Sequence, residues 1–265
     1  NAKHLRRLDS LLDITLIEKN AIYTTCYMSN EVLIGERTLE SLQFNYDALK
    51  KQGINVVIDE VTAVNYDSQL VITKSGSSYP YDRCVVSPGV DFHYERITGY
   101  SEAAIESVPH AWKAGSQTTL LRNQLQAMPN GGTVVVAAPP NPYRCPPAPY
   151  ERASQIAYYL KQHKPNSKVI VLDPKPSFTK QALFEQAWTE LYGYKTNNAL
   201  LEWHSGEQAS GVVEVDVASK TVTTEFGDQI QAVVLNIIPP QKAGKLAFDA
   251  DLVDSTCWCP VNKLT

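Results

Sequence analysis

The chain has 265 residues, of which 43% are hydrophobic, so it is long and apolar enough to bury a large core in one or two domains. A net charge of −4 at pH 7 argues against a nucleic-acid-binding surface. No apolar run approaches the roughly 20 residues that a membrane-spanning helix needs. An odd number of cysteines, 5, excludes a fully paired disulfide framework, and the scattered cysteines and histidines show no metal-binding spacing.

The first part of the chain alternates helices and strands, which predicts an α/β fold. Residues 2–9 predict the last turns of a helix, and residues 14–18 predict a strand that ends in the acid Glu18. An acid at this place in a dinucleotide-binding unit binds a ribose hydroxyl; the alternative is a surface acid at a strand end. The elements predicted next are a helix at 40–52, a strand at 54–58, a hairpin at 61–66 and 70–73, and a buried strand at 81–89.

The rest of the chain repeats this plan. Apolar residues recur with helical spacing at Ala153, Ile156, Ala157 and Leu160, after a valine-rich strand. The predicted elements are a helix at 112–127, a strand at 133–138, helices at 150–162 and 177–192, and strands at 168–173, 199–204, 211–216, 220–224 and 233–238. Two similar successive units are the plan of flavoproteins with two dinucleotide-binding domains.

The turn at 139–149 joins a predicted strand to a helix, where a nucleotide-binding unit normally has a glycine-rich loop. Here the turn is rich in proline, which has no N–H to donate to a phosphate. We therefore expect a nucleotide fold whose phosphate loop is replaced by a rigid loop that presents Cys145. The helix start and Arg144 predict a lowered thiol pKa, and Glu151 in the first turn could exchange a proton. The alternative is a buried cysteine with Glu151 as an ordinary first-turn acid.

Five segments resemble the flavoprotein subunit of flavocytochrome c sulfide dehydrogenase. They are 25–32 (TCYMSNEV), 81–86 (YDRCVV), 109–115 (PHAWKAG), 144–154 (RCPPAPYERAS) and 258–261 (WCPV). The resemblance implies an α/β, glutathione-reductase-like flavoprotein fold with two dinucleotide-binding domains. It implies an FAD-binding domain at 1–98, an NAD-like domain without nicotinamide binding at 99–239, and a return to the first domain at 240–265.

The resemblance also implies the cofactor and its ligands. FAD would be attached through its 8α-methyl group to Cys26, although a free thiol at this position is the alternative. No metal site is expected. The other residues expected to bind the cofactor are Glu18, Lys19, Asn30, Val61, Ser87, Pro88 and Gly89.

The implied activity is the oxidation of sulfide to sulfur or polysulfide in the periplasm. Cys145 would form a redox-active disulfide with a cysteine located beyond Thr265, and hydrosulfide would attack it to give a persulfide. Glu151 would carry the proton, and electrons would pass through FAD to the haem of a cytochrome c subunit. Cys84 is expected to be structural, on the buried strand at 81–89. No partner role in the disulfide is expected for Cys257 or Cys259.

Two other functions remain open at this point. One is a sulfide:quinone oxidoreductase, which passes electrons to a membrane quinone; the other is a cofactor-free binding or scaffold fragment. Neither the N-terminal glycine loop nor the C-terminal part of the family is found in the sequence. We therefore expect an incomplete, internal fragment that does not sustain turnover by itself.

Overall fold

The computed structural model describes residues 1–207 and 211–262. It divides into two compact units: the first comprises Asn1–Thr24, Gln43–Asp91 and Lys242–Thr265, and the second comprises Thr25–Leu42 and Phe92–Gln241. The sequence predicted domain boundaries at residues 98 and 239. The two units differ from the predicted domains mainly in the segment 25–42, which the prediction placed in the first domain and the structure places in the second unit.

The elements are numbered in chain order. The first half contains α1 (Ala2–Leu8), β1 (Thr15–Glu18), β2 (Tyr23–Thr24), α2 (Ser29–Ile34), β3 (Gln43–Phe44), α3 (Asp47–Lys50), β4 (Asn55–Ile58), β5 (Val61–Asn65), β6 (Leu70–Thr73), β7 (Ser78–Pro80), β8 (Val90–Phe92) and α4 (Ser116–Ala127). The second half contains β9 (Thr133–Ala137), α5 (Ala148–His163), β10 (Lys168–Leu172), α6 (Gln181–Tyr192), β11 (Leu201–His204), β12 (Val212–Asp216), β13 (Thr221–Thr224), β14 (Gln229–Gln231), β15 (Val234–Ile237), β16 (Gln241–Ala243) and α7 (Lys245–Asp249). Short 3-10 helices lie at Glu40–Leu42, Tyr94–Arg96 and Ala104–Glu106.

The first unit contains a parallel pair and an antiparallel sheet. β1 pairs with β4 in the register Glu18 to Ile58, so Glu18 lies at the carboxyl end of a parallel strand, as the sequence predicted. β5, β6 and β7 form a three-stranded antiparallel sheet, which confirms the predicted hairpin. Val64 and Val71 from this sheet form a small core with Ala250 of the segment after α7.

The second unit is built on a parallel sheet in the order β11-β10-β9-β15, with β12, β13 and β14 as a separate antiparallel sheet. Four of the five residues of the inner strand β9 are buried. This explains its continuous apolar sequence, because a parallel sheet that is covered on both faces needs apolar residues on both. The largest core cluster joins this sheet to α2, α4, α5 and α6 through residues such as Leu33, Leu121, Ile156 and Trp188. The α/β plan predicted for this part of the chain is thus confirmed.

Two predicted elements of the first half are wrong. Residues 40–52 form a 3-10 turn, the two-residue strand β3 and the four-residue α3 instead of one helix. The segment 81–89 is irregular and forms no strand; Val85 is 61% exposed, and Cys84 is exposed as well. An apolar sequence is not enough to bury a segment that pairs with no neighbouring strand. The expectation of a buried, structural Cys84 is therefore also wrong. Within the described ranges, no helix has both the length and the apolar character that crossing a membrane requires.

Candidate active site

The proline-rich loop ends where α5 begins, and it places Cys145 three residues before the first residue of this helix. The Cys145 carbonyl oxygen accepts a hydrogen bond of 3.0 Å from the Ala148 N–H, and Pro149 occupies an early helical position that tolerates proline. Cys145 has a left-handed backbone, with φ of 62°, and is exposed as a free cysteine. The alternative of a cysteine buried in the turn is therefore wrong.

Hydrogen bonds on both sides of Cys145 hold the loop. The Arg144 N–H donates to Gln241 Oε1 at 3.0 Å, and the Arg144 guanidinium donates to the carbonyl oxygen of Trp112. On the other side, the Tyr143 hydroxyl donates to the carbonyl oxygen of Pro146 at 2.7 Å. Cys145 is therefore presented by a fixed loop, as the proline content predicted.

The electrostatic environment of Cys145 differs from the prediction. Its thiol pKa is raised above the ordinary value, first by partial burial, and then by the charges of Glu151 and Cys26. Arg144 and the hydrogen bond to Ala148 act in the opposite direction but are outweighed. The predicted lowering of the pKa was wrong because it counted the helix start and the cation but left out the partial burial of the thiol, which is the largest effect, and the two neighbouring acids.

Glu151 and Asn30 connect the N-termini of α5 and α2. The Asn30 side-chain amide donates from Nδ2 to Glu151 Oε2 at 3.1 Å. Cys26 stands before α2 as Cys145 stands before α5: its carbonyl oxygen accepts from the Ser29 N–H at 3.2 Å, and its thiol is exposed and free. The second unit thus brings together four of the residues named from the sequence, namely Cys26, Asn30, Cys145 and Glu151.

The sequence reasoning missed the buried cation beside this group. Arg152 is 3% exposed and donates from Nε to Asn30 Oδ1 at 3.0 Å. Its other donors go to neutral oxygens: Nη1 to the His110 carbonyl at 2.8 Å and to Asn236 Oδ1 at 2.9 Å, and Nη2 to the Ala111 carbonyl at 2.8 Å. Burial lowers its pKa to about 10, while Glu151 and Cys145 oppose this shift, so the guanidinium remains charged at neutral pH.

The groups that accept hydrogen bonds from Arg152 are uncharged. The Asn236 amide donates to the carbonyls of Pro109 and His110 at 2.7 and 2.9 Å, which orients these oxygens. The His110 pKa is lowered to about 3, mainly by burial and then by Arg152, Lys113 and Arg144. His110 is therefore uncharged at neutral pH and adds no second positive charge.

The acid that ends β10 is not available to a nucleotide. Asp173 is completely buried and receives four hydrogen bonds: Oδ1 accepts from the N–H and the ammonium of Lys175 at 3.0 and 2.6 Å, and Oδ2 accepts from the Tyr150 hydroxyl at 2.5 Å and Trp203 Nε1 at 3.0 Å. These donors fill the acceptor sites of the carboxylate. The Lys175 ammonium also donates to the Pro139 carbonyl at 2.7 Å. A ribose hydroxyl could bind the Asp173 carboxylate only by displacing one of these buried hydrogen bonds.

The remaining residues predicted to bind a cofactor lie in the first unit. Glu18 is half-buried, and its Oε1 accepts from the backbone and side-chain nitrogens of Asn20 at 3.0 and 3.1 Å, while no described residue engages Oε2. Lys19 is exposed, Val61 begins β5, and Ser87, Pro88 and Gly89 form an exposed loop before β8. The ranges 1–207 and 211–262 contain no group of three or more acids, histidines or cysteines arranged to hold a metal.

Comparison with known proteins identifies one family model, described as the central part of the sulfide dehydrogenase (flavocytochrome c) flavoprotein chain, which matches residues 118–239. Among curated proteins, the chain is 22% identical over 224 residues to the mitochondrial sulfide:quinone oxidoreductase of Dictyostelium discoideum, covering 81% of the chain and 47% of that protein. It is 23% identical over 232 residues to the Mus musculus protein of the same name, covering 80% and 47%. The chain thus spans about half the length of the curated relatives it matches.

Solved structures confirm the predicted fold class. The sulfide:quinone oxidoreductase of Aquifex aeolicus superposes with a TM-score of 0.78 at 20% identity, covering 96% of the chain and 59% of that structure. A ferredoxin reductase from Rhodopseudomonas palustris superposes with a TM-score of 0.70 at 15% identity, with 96% and 59% coverage. At these identities the likeness establishes the α/β fold of the two-domain flavoproteins and nothing about the chemistry.

Proposed function

We propose, from the match of residues 118–239 to the model of the central part of the sulfide dehydrogenase (flavocytochrome c) flavoprotein chain, that the whole protein is a sulfide-oxidising flavoenzyme. One observation carries the proposal: Cys145 is exposed on a fixed loop at the start of α5, and Glu151 lies in the first turn of the same helix. A thiol beside a carboxylate provides both a sulfur that sulfide can reach and a group that can take its proton.

The chemistry at Cys145 is thiol–disulfide exchange. In the whole protein, Cys145 would be joined to a second cysteine outside residues 1–265. The hydrosulfide sulfur attacks this disulfide, one S–S bond breaks and another forms, and the products are a cysteine persulfide and a cysteine thiolate. Glu151 takes the hydrosulfide proton. Because the thiol pKa of Cys145 is raised, a free Cys145 would be mostly protonated at neutral pH, so we assign it a role in the disulfide that sulfide attacks and not that of an activated thiolate.

FAD is the proposed electron acceptor. Cys26 is an exposed, free thiol that could carry a covalent 8α-S-cysteinyl link, and Glu18 has a carboxylate oxygen to offer to a ribose. Lys19, Asn30, Val61, Ser87, Pro88 and Gly89 are the other proposed contacts. When bound, FAD would accept two electrons as a pair and pass them on one at a time.

Two electron acceptors are consistent with the comparisons. The matched family model favours a cytochrome c subunit with haem, which would place the protein in the periplasm. The named relatives from Dictyostelium discoideum and Mus musculus favour a quinone as the second candidate. Stopped-flow reduction of cytochrome c and of a soluble quinone by the sulfide-reduced full-length protein distinguishes them, because only the physiological acceptor should be reduced at the rate of turnover.

The test of the proposal uses Cys145→Ser in the full-length protein, with Cys84→Ser as the matched control because Cys84 is also exposed but lies in the first unit. We expect Cys145→Ser to abolish sulfide-dependent turnover and Cys84→Ser to retain it. Normal turnover in Cys145→Ser would refute the proposal. Intact mass under denaturing conditions, combined with a visible spectrum, tests the link to Cys26: a mass excess of one FAD that disappears in Cys26→Ser is the expected result.

A further inference from the structure

We propose that Asn30 and Arg152 are positioning residues for Glu151: Arg152 fixes the orientation of the Asn30 amide, and Asn30 then holds one oxygen of the Glu151 carboxylate and leaves the other for proton transfer. This inference rests on the proposed function, since it assigns residues that act on the proton carrier of that reaction. Neither residue contacts the reacting sulfur in this arrangement; both act through Glu151.

The first step is the orientation of the Asn30 amide. An arginine side chain has only donors, so the atom of Asn30 that lies 3.0 Å from Arg152 Nε must be the carbonyl oxygen Oδ1. The amide nitrogen Nδ2 is then turned to Glu151 Oε2, 3.1 Å away. The chemistry of the partners decides the amide orientation, which distances alone would leave ambiguous.

The second step is the rigidity of Arg152. Its remaining donors are committed to two backbone carbonyls and to Asn236, and its guanidinium lies 5.2 Å from the centre of the Trp112 ring. Arg152 is 3% exposed and Asn30 is 8% exposed, so water does not compete for these bonds. The guanidinium can rotate away from Asn30 only if several buried oxygens lose their donors, which is costly.

The third step is the effect on Glu151. An amide N–H can only donate, so the Asn30 contact stabilises an unprotonated Oε2, and no described residue occupies Oε1. The charged or titratable groups that interact with Glu151 are Cys145 on the loop and Arg152 on α5, while Arg144 and Cys26 act on Cys145. Glu31, also on α2, is paired with Arg37 at 2.9 Å. The Glu151 carboxylate is therefore held in one orientation, with one oxygen available to a reacting sulfur.

The test is the isosteric substitution Asn30→Asp. The new carboxylate still accepts from Arg152, so the fold keeps its buried bonds, but it cannot donate to Glu151 and adds a like charge beside it. We expect the Glu151 pKa to rise by about one unit or more. The measurement is a titration of ¹³C-carboxyl-labelled glutamate by NMR, with Glu151→Gln identifying the resonance. Asn30→Ala, which removes the donor without adding charge, should shift the pKa in the same direction by less.

Asn236→Ala is the control, because it removes another hydrogen-bond partner of Arg152 but makes no contact with Glu151. An unchanged Glu151 pKa in Asn30→Asp, or an equal shift in Asn236→Ala, would overturn the inference. The titration needs no turnover, so its failure is separate from failure of the proposed function. In the full-length enzyme, Asn30→Asp should move the acidic limb of the turnover pH profile upward together with the NMR pKa.

Discussion

The buried pair of Asp173 and Lys175 gives the sharpest stability prediction. In Asp173→Asn, the Lys175 ammonium loses the carboxylate that lies 2.6 Å away, and two of the four donors around Asp173 must face an amide N–H, because each carboxylate oxygen accepts from two of them. Removing one partner of a buried ion pair costs about 3–5 kcal/mol. This is a large part of the roughly 5–15 kcal/mol by which a domain is stable.

The size of this penalty should depend on pH. Burial already lowers the Lys175 pKa, and Asp173 opposes that shift. Without the carboxylate the folded-state pKa falls further below the unfolded value, so the unfolded state binds more protons and the stability of the variant rises with pH. The penalty relative to the unchanged protein should therefore be smaller at pH 9 than at pH 6.

Urea unfolding followed by tryptophan fluorescence measures this penalty, since Trp203 itself bonds to Asp173 at 3.0 Å. The double variant Asp173→Asn with Lys175→Met removes the unpaired charge and should recover most of the loss. A loss below about 1 kcal/mol in Asp173→Asn at pH 7, or a double variant that is no more stable than this single one, would refute the reasoning.

Three further outcomes are expected. Gly99→Ala should destabilise the second unit by about 2 kcal/mol or more, because φ is +78° and the added Cβ would lie 2.2 Å from the Val215 carbonyl oxygen of β12. Gly227→Ala is the control: its φ of +87° gives the same backbone strain, but no atom lies within 4 Å of the added Cβ. Because the His110 pKa falls from 6.5 to about 3 on folding, the free energy of unfolding should decrease as pH drops through this range, by up to about 1.4 kcal/mol per pH unit. Urea unfolding at pH 5 and pH 7 measures this decrease, which should be smaller in His110→Gln. Glu151→Gln should lower the thiol pKa of Cys145 and speed its alkylation at pH 7, measured by mass spectrometry of the labelled peptide; an unchanged rate would contradict the charge effect.

The sequence predicted the second unit well because its elements are long and periodic. The valines of β9 and the apolar positions of α5 lie on buried surfaces that the pattern describes directly. The failures fall on short segments of the first half. The spacing of Leu42, Tyr46 and Leu49 matches a helix, yet only Leu42 is buried, so no apolar face exists to hold a helix together.

The candidate site was predictable where its signal was local. Cys145 and Glu151 are six residues apart on one loop and helix, whereas the Asn30 contact to Glu151 spans 121 residues and cannot be read from one sequence. Arg152 did leave a signal. It stands four residues before Ile156 and eight before Leu160, on the buried face of α5, and a charge in such a stripe indicates a buried partner network.

The position of α2 limits how this protein can be dissected. Leu33 is 1% exposed in a core that it shares with Leu121 and Leu125 of α4, although some 90 residues of chain separate α2 from α4. No single cut can therefore release the second unit intact. A polypeptide beginning at residue 92 would lack part of its own interior, and a synthetic peptide covering 25–42 should restore it by complementation.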